Sequence, residues 1–409
     1  MNKKAHLLIS LTLLSTLTFA CSFFSAPQKE SSTPTQEIAP TEIPVETPTL
    51  APTKIPAPAL PIGIVTEKDS TLSLFDSAGY TLAQVNTPGL SYADENNVHI
   101  AGVFSQESNA FPVLYFSFEQ NNSLLFVHNG EFATLISTPN FSGLAGAAGE
   151  PIIAYTTTEF LNDSLVSDLY VGTTQTLPTA PSILHDSDTE GWGMVALAVD
   201  VDAGQPSGVW FSKRPWGIGG DIVFEPRRTL EYLDLESGQG RQILGAEANP
   251  SAISANRKWV AYTDDGTVAG VGTMTIRNLN TGESLNYPLQ TAVDQRGAGS
   301  ATFSPSNQYL AWMEGSGWQM AEMPNFRSVI RIGDLAGNII TEFPDTALAP
   351  SSGMSVIQRV EPVGWLDDNT LIVMARGESW DDVLLLKIDI ASRIPSFLAK
   401  GAFVGFAYP

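Results

Sequence analysis

One phrase recurs along this chain and limits its fold more than any other feature: an alternating apolar and polar strand, a polar turn usually holding Gly, and a second alternating strand. It reads Leu72 to Val85 (LSLFDSAGYTLAQV), Leu124 to Ile136 (LLFVHNGEFATLI), Asp168 to Leu184, Leu230 to Leu244 (LEYLDLESGQGRQIL), Met274 to Leu289 (MTIRNLNTGESLNYPL), Val329 to Phe343 (VIRIGDLAGNIITEF) and Leu384 to Leu398 (LLLKIDIASRIPSFL). Apolar residues of period two, bounded by Gly, Asn, Asp, Ser and Pro, are the signature of short antiparallel strands joined by turns. Repetition of one supersecondary unit means that neighbouring copies bury each other's apolar faces. No convincing helix is expected after Leu60.

A second phrase precedes many of these hairpins, a small polar turn followed by a strand that ends in an aromatic residue. Its clearest copies are Phe303-Ser-Pro-Ser-Asn-Gln-Tyr-Leu-Ala-Trp312 and Ile253-Ser-Ala-Asn-Arg-Lys-Trp-Val-Ala-Tyr262, with a looser one over Val363 to Val373. Followed by a hairpin of the form I-x-x-x-[DN]-L-x-[ST]-G, this wording resembles the blade repeat of TolB-type and related WD-repeat-like β-propellers. The usual Asp-Gly of the turn is Ser306-Asn307 in one copy and Asn256-Arg257 in the other. The resemblance is specific over 230–400 and only architectural before that.

It implies an all-β chain in which residues 61–409 form a seven-bladed β-propeller, at about 50 residues per blade. Three strands near the start (Ile62 to Thr66, Leu72 to Phe75, Leu82 to Val85) and one at the end (Ala402 to Tyr408) would share a blade and close the ring, which removes open sheet edges. The irregular stretch 186–228 leaves six and eight blades as alternatives.

Lys3 and Lys4 precede an apolar run, Leu7 to Ala20, of signal-peptide length and too short to span a bilayer comfortably. Residues 1–20 are therefore expected to be an export signal. The run ends Leu17-Thr18-Phe19-Ala20-Cys21, and Cys21 is the only cysteine in the chain. A thiol placed after a small residue at such a boundary resembles the lipobox of bacterial lipoproteins, although Thr18 and Phe19 stand where Leu and a small residue are usual. The resemblance implies a lipid-anchored Cys21, hence a membrane as partner and an extracytoplasmic location, in the periplasm or at the cell surface. Residues 21–60 then read as a tether, with prolines at 27, 34, 40, 44, 48, 52, 56 and 58 that favour polyproline II over packing.

A formal charge of −22, from 21 basic and 43 acidic residues, excludes nucleic acid as a partner. The scarce Arg and Trp are informative in that setting. Placed on the blade frame that the resemblance supplies, Trp192, Arg214, Trp216, Arg227, Arg228, Arg296, Trp318, Arg327, Arg376 and Trp380 all fall in loops on one face. Trp and Arg are the residues that most often anchor interfaces, so this face is the expected site for a protein or glycan partner. Against that stands a structural reading, in which aromatic plugs and snorkelling Arg side chains merely cover the blade ends.

Asp186-x-Asp188-x-Glu190-Gly191 has the opening spacing of a calcium loop, but Leu197 stands where an EF-hand needs its bidentate acid. Ca2+ is the single cofactor the sequence suggests. His99, His128 and His185 lie in or beside expected strands, and no G-x-S-x-G elbow is present, so no catalytic residue is assigned. The expected function is a membrane-anchored, non-enzymatic binding or assembly module. The alternative is an extracytoplasmic carbohydrate-active hydrolase or lyase, which would need converging channel carboxylates.

Overall fold

The computed structural model describes residues 59–86, 98–104, 113–118, 123–128, 131–137, 141–173, 175–216, 223–264, 272–290, 296–317, 326–379 and 382–409. Their strands sort into four-stranded antiparallel sheets, numbered here along the chain: sheet 1 (63–86 with 402–407), sheet 2 (98–137), sheet 3 (141–188), sheet 4 (192–244), sheet 5 (249–286), sheet 6 (296–344) and sheet 7 (359–400). Sheets 2 to 7 are simple meanders. Sheet 1 is composite, because Ala402–Ala407 pairs with Gly63–Lys68, from Gly63 opposite Ala407 to Glu67 opposite Ala402. Successive sheets touch, 1 to 2, 2 to 3 and onward, and sheet 7 returns to sheet 1.

The recurring hairpin joins the third and fourth strands, and one side chain explains its wording. Asp76, Asp234, Asn278, Asp334 and Asp389 occupy the same place in sheets 1, 4, 5, 6 and 7. In each, Oδ1 accepts backbone N–H groups two to four residues on, such as Ala336 and Asn338 onto Asp334 at 2.9 Å. This is how Asx side chains stabilise turns. Hydrogen bonds to the ionised form hold the carboxyls of Asp234 and Asp389 below the usual range; at Asp334 burial pushes the other way but bonds from Asn338 and Ala336 outweigh it. The second phrase is the turn between first and second strands. Ser254 Oγ and Ser304 Oγ accept the N–H of Trp259 and Tyr309, while Arg257 and Asn307 take positive φ at the usual Gly place.

Apolar side chains fill the junctions between sheets. Ala154 and Leu169 of sheet 3 meet Met194 and Phe211 of sheet 4; Ala261 and Ile276 of sheet 5 meet Leu310 and Trp312 of sheet 6; Ile330 and Ile332 of sheet 6 meet Leu371 and Leu386 of sheet 7. Each Leu, Ile, Met or Phe side chain among them contributes about 1.5–3 kcal/mol on burial. At the junction of sheets 5 and 6 there is also a buried ionic group. Glu314 accepts from the Gln290 N–H at 2.7 Å, from Arg296 at 3.1 Å and from Arg331 at 2.8 Å, and Arg331 also reaches Glu342 at 2.9 Å.

Two expectations change. Helix is present: Asp345–Ser352 is α-helical and Leu177–Thr179 is a 3-10 turn. The α-helix contains Pro350 and small polar residues, so its sequence reads as a loop; it is fixed by the burial of Leu348 against sheets 6 and 7. Several residues expected in loops also lie on strands. Asp186 and Asp188 are on Leu184–Asp188, Trp192 opens Trp192–Asp202, Arg214 is on Gln205–Pro215, and Arg228, Arg296, Arg327 and Arg376 are strand-end residues. The strands of sheets 3 and 4 simply run longer, to 10 and 11 residues, than a blade frame suggests.

Candidate functional site

In a four-stranded meander the start of the first strand, the end of the second, the start of the third and the end of the fourth share one end of the sheet. Register places the candidate residues there in three sheets. Gly193 lies opposite Arg214 and Lys213 opposite Arg228 in sheet 4; Arg296, Ser316 and Arg327 are aligned in sheet 6; Arg359, Arg376 and Val383 are aligned in sheet 7.

The segment 223–227, which leads into the third strand of sheet 4, joins these ends. Asn249 at the start of sheet 5 accepts the Arg227 N–H at 3.0 Å and donates to Glu225 O at 3.3 Å. Phe224 is buried with Val223, Met313 and Phe326, over Gly299 of sheet 6. A Cβ at Gly299 would lie 2.2 Å from the Phe224 ring, so only glycine leaves this seat open. Arg359 of sheet 7 donates to Val223 O at 2.9 Å. The segment is thus a strap from sheet 4 past sheet 5 to sheets 6 and 7. Arg359, Val223 and Phe224 were missed in the sequence. The position of Arg359, which matches that of Arg296 at the start of a first strand, was a usable signal; the strap was not, since its contacts are all non-local.

Electrostatics at this end are largely satisfied within the protein. Asp188 accepts the N–H groups of Glu190 at 2.8 Å and Trp192 at 3.2 Å, and pairs with Arg228 at 3.0 Å and Lys213 at 3.4 Å. Burial pushes its carboxyl up, but these hydrogen bonds and Lys213 outweigh that and hold it below the usual range. Lys213 also meets Asp186 at 2.8 Å, and Arg228 meets Glu190 at 2.7 Å while covering the Trp192 ring at 4.3 Å. The three acids proposed as calcium ligands therefore face Lys213 and Arg228, and no cluster able to hold a metal ion occurs among the described residues. Their i, i+2 spacing arises because Asp186 and Asp188 share one side of a strand, which is what delivers both to Lys213.

Arg214 pairs with Glu225 at 3.2 Å, and Glu225 also takes Arg227. Trp216 is half-buried and donates its backbone N–H to Gly191 O at 2.9 Å. Arg327 is exposed, bonds Phe326 O at 2.6 Å, and has no carboxylate partner among the described residues. Trp318, Trp380 and Cys21 lie outside the described residues. His185 is on an exposed strand and meets Asp168 at 3.0 Å, a surface pair.

No family model and no curated protein matches the sequence. Among solved structures, the chain is similar to TolB from Acinetobacter baumannii at 16% identity, over 70% of this chain and 63% of that one, just under two thirds of its length, with a TM-score of 0.43. It is similar to a putative TolB from Agrobacterium tumefaciens at 11% identity, over 65% and 85% of the two chains, TM-score 0.39. An oligogalacturonate lyase from Vibrio parahaemolyticus gives 10% identity, 83% and 84% coverage, and a TM-score of 0.46. Likeness at these levels carries no argument about activity.

Proposed function

We propose that the chain is an extracytoplasmic protein held at a bacterial membrane through an acylated Cys21, and that its described part is a seven-bladed β-propeller serving as a binding or assembly module. The blade reading rests on the circuit of sheet contacts and on the composite sheet 1. The observation that carries the binding reading is the surface that strap 223–227 makes continuous across sheets 4 to 7. It gathers Trp192, Trp216 and Arg327 beside Arg359 and Arg376 in a chain of net charge −22. An acidic protein or glycan surface is the complement of such a patch, with exposed guanidinium at Arg327 and the half-buried Trp216 for stacking.

The hydrolase or lyase alternative draws no support from Asp188, Glu190, Glu225 and Glu314, each of which is engaged by arginine or lysine, whose charge favours the carboxylate over the protonated form a general acid needs.

The test is site-specific photo-crosslinking in native membranes. A crosslinker at Arg327 or Trp216 is expected to give a discrete adduct, and one at Glu236 or Asn280, in turns at the opposite end of the sheets, none. Equal labelling at both ends would overturn the reading. Mass spectrometry of the mature chain should find Cys21 acylated at the N terminus.

A further inference from the structure

A groove of about 710 Å³ opens between the outer strands of sheets 7 and 1, and Lys68, Thr71, Asn86 and Lys400 bring it to the same end of the sheets as the proposed binding face. One wall is a face of sheet 1. Thr71, Ser73 and Phe75 alternate along the third strand, with Gln84 and Asn86 on the fourth, while Leu72, Leu74 and Val85 point to the buried side. The pairs are joined across the strands: Gln84 Nε2 donates to Ser73 Oγ at 3.0 Å, and Thr71 Oγ1 to Asn86 Oδ1 at 3.5 Å. The other wall is Phe397 to Lys400 on the outer strand of sheet 7, where the Phe397 ring is 46% exposed.

This space is held open by the fold. The two sheets are pinned at its margins, by Thr66 Oγ1 donating to Lys400 O at 3.1 Å, by Lys387 Nζ donating to Ser77 O at 3.0 Å, and by Gly79 seated against Leu398 O. Between the pins the lining combines the amides and hydroxyls of Thr71, Ser73, Gln84 and Asn86 with the rings of Phe75 and Phe397. Lys68 and Lys400 also line it, and neither has a carboxylate partner among the described residues; Asp69 is the one acid of the lining.

We infer that this groove is a saccharide site, for an oligosaccharide of about three units that carries carboxylates. Side-chain amides and hydroxyls both donate and accept, which matches the paired donor and acceptor character of ring hydroxyls. The exposed Phe397 ring offers an apolar face for the C–H face of a pyranose. Two unpaired lysines against one aspartate favour an anionic chain. A peptide is the competing occupant to be tested, because the strands 81–86 and 394–400 that line the groove are the outer edges of their sheets. The groove shares no lining residue with the face proposed above.

Titration calorimetry on the full-length chain in detergent, with trimannuronate and neutral mannotriose as probes, tests it. Trimannuronate is expected to bind saturably, and mannotriose at least tenfold more weakly. Phe397→Ala and Gln84→Leu should each weaken trimannuronate at least tenfold while keeping a cooperative thermal transition within a few degrees of the parent, and Arg327→Ala should leave it unaltered. Absence of trimannuronate binding, equal binding of mannotriose, indifference to both groove variants, or equal competition by an acidic hexapeptide would overturn the assignment.

Discussion

The junction of sheets 6 and 7 and the junction of sheets 7 and 1 share sheet 7, and they are finished in opposite ways. Between sheets 6 and 7 the connection is 345–358, long enough to include the helix Asp345–Ser352, which lies against both sheets, buries Leu348 completely and is tied to the outer strand by Ser351 Oγ donating to Pro395 O at 3.0 Å. Between sheets 7 and 1 the connection is the single residue Gly401, from Lys400 to Ala402. That junction is still packed by Ile64, Leu385, Leu398 and Ala402. Its outer part has no segment to cover it, and there the sequence places Thr71, Ser73, Gln84 and Asn86. At these two junctions, the long connection supplies a helix that closes the gap and the one-residue connection supplies nothing.

The contrast predicts a graded set of responses. The largest belongs to the ionic form of a filled junction: Glu314→Gln leaves Arg331 and Arg296 without their shared carboxylate and should cost about 3–5 kcal/mol in urea unfolding. Leu348→Ala, at the helix of the 6–7 junction, is expected to lose about 2–5 kcal/mol, since a rigid junction will not collapse onto the cavity. If it costs no more than a surface change, the helix is ornament and the comparison fails.

An acid effect should follow in which the open junction has no part. The carboxyls of Asp188, Asp234, Asp334 and Asp389 are depressed in the folded chain, so the stability they contribute is complete above the unfolded value near 3.8 and is lost as pH falls through the folded values. Asp334→Asn, which keeps an oxygen acceptor but cannot titrate, should flatten the fall in urea midpoint between pH 5 and pH 2.5. The smallest effect is expected at the groove itself. Gln84→Leu removes one partly buried hydrogen bond, to the buried Ser73 hydroxyl, and should shift stability by about 1 kcal/mol, so a tenfold or larger loss of saccharide binding in a chain that stays folded is a loss of contacts.

What was legible in the sequence was whatever is fixed by neighbours along the chain. The Asx turn at Asp334 and the Ser304 turn declare themselves in a few consecutive residues, and the hairpins they close appear as pairs of strands in register. The strand-end arginines were found because a blade frame converts position in a repeat into position in space. The helix at 345–352 was hidden by Pro350, the strap by its dependence on Asn249, Gly299 and Arg359, and the groove because its walls are some 310 residues apart, as in the Lys387 to Ser77 bond. The alternation of Thr71 and Ser73 with Leu72 and Leu74 was visible, but nothing local tells that the polar side looks at another sheet.

Sheet 1 makes one strand the guardian of another far from it in the chain. Ile62 donates its backbone N–H to Ala407 O at 2.7 Å, and Gly63–Lys68 pairs with Ala402–Ala407 on one side and Thr71–Phe75 on the other. Until Ala402–Ala407 has docked, Gly63–Lys68 keeps one open edge, and the groove beside it has only part of its frame. Docking of that strand is therefore the step that turns an adhesive edge into a closed sheet.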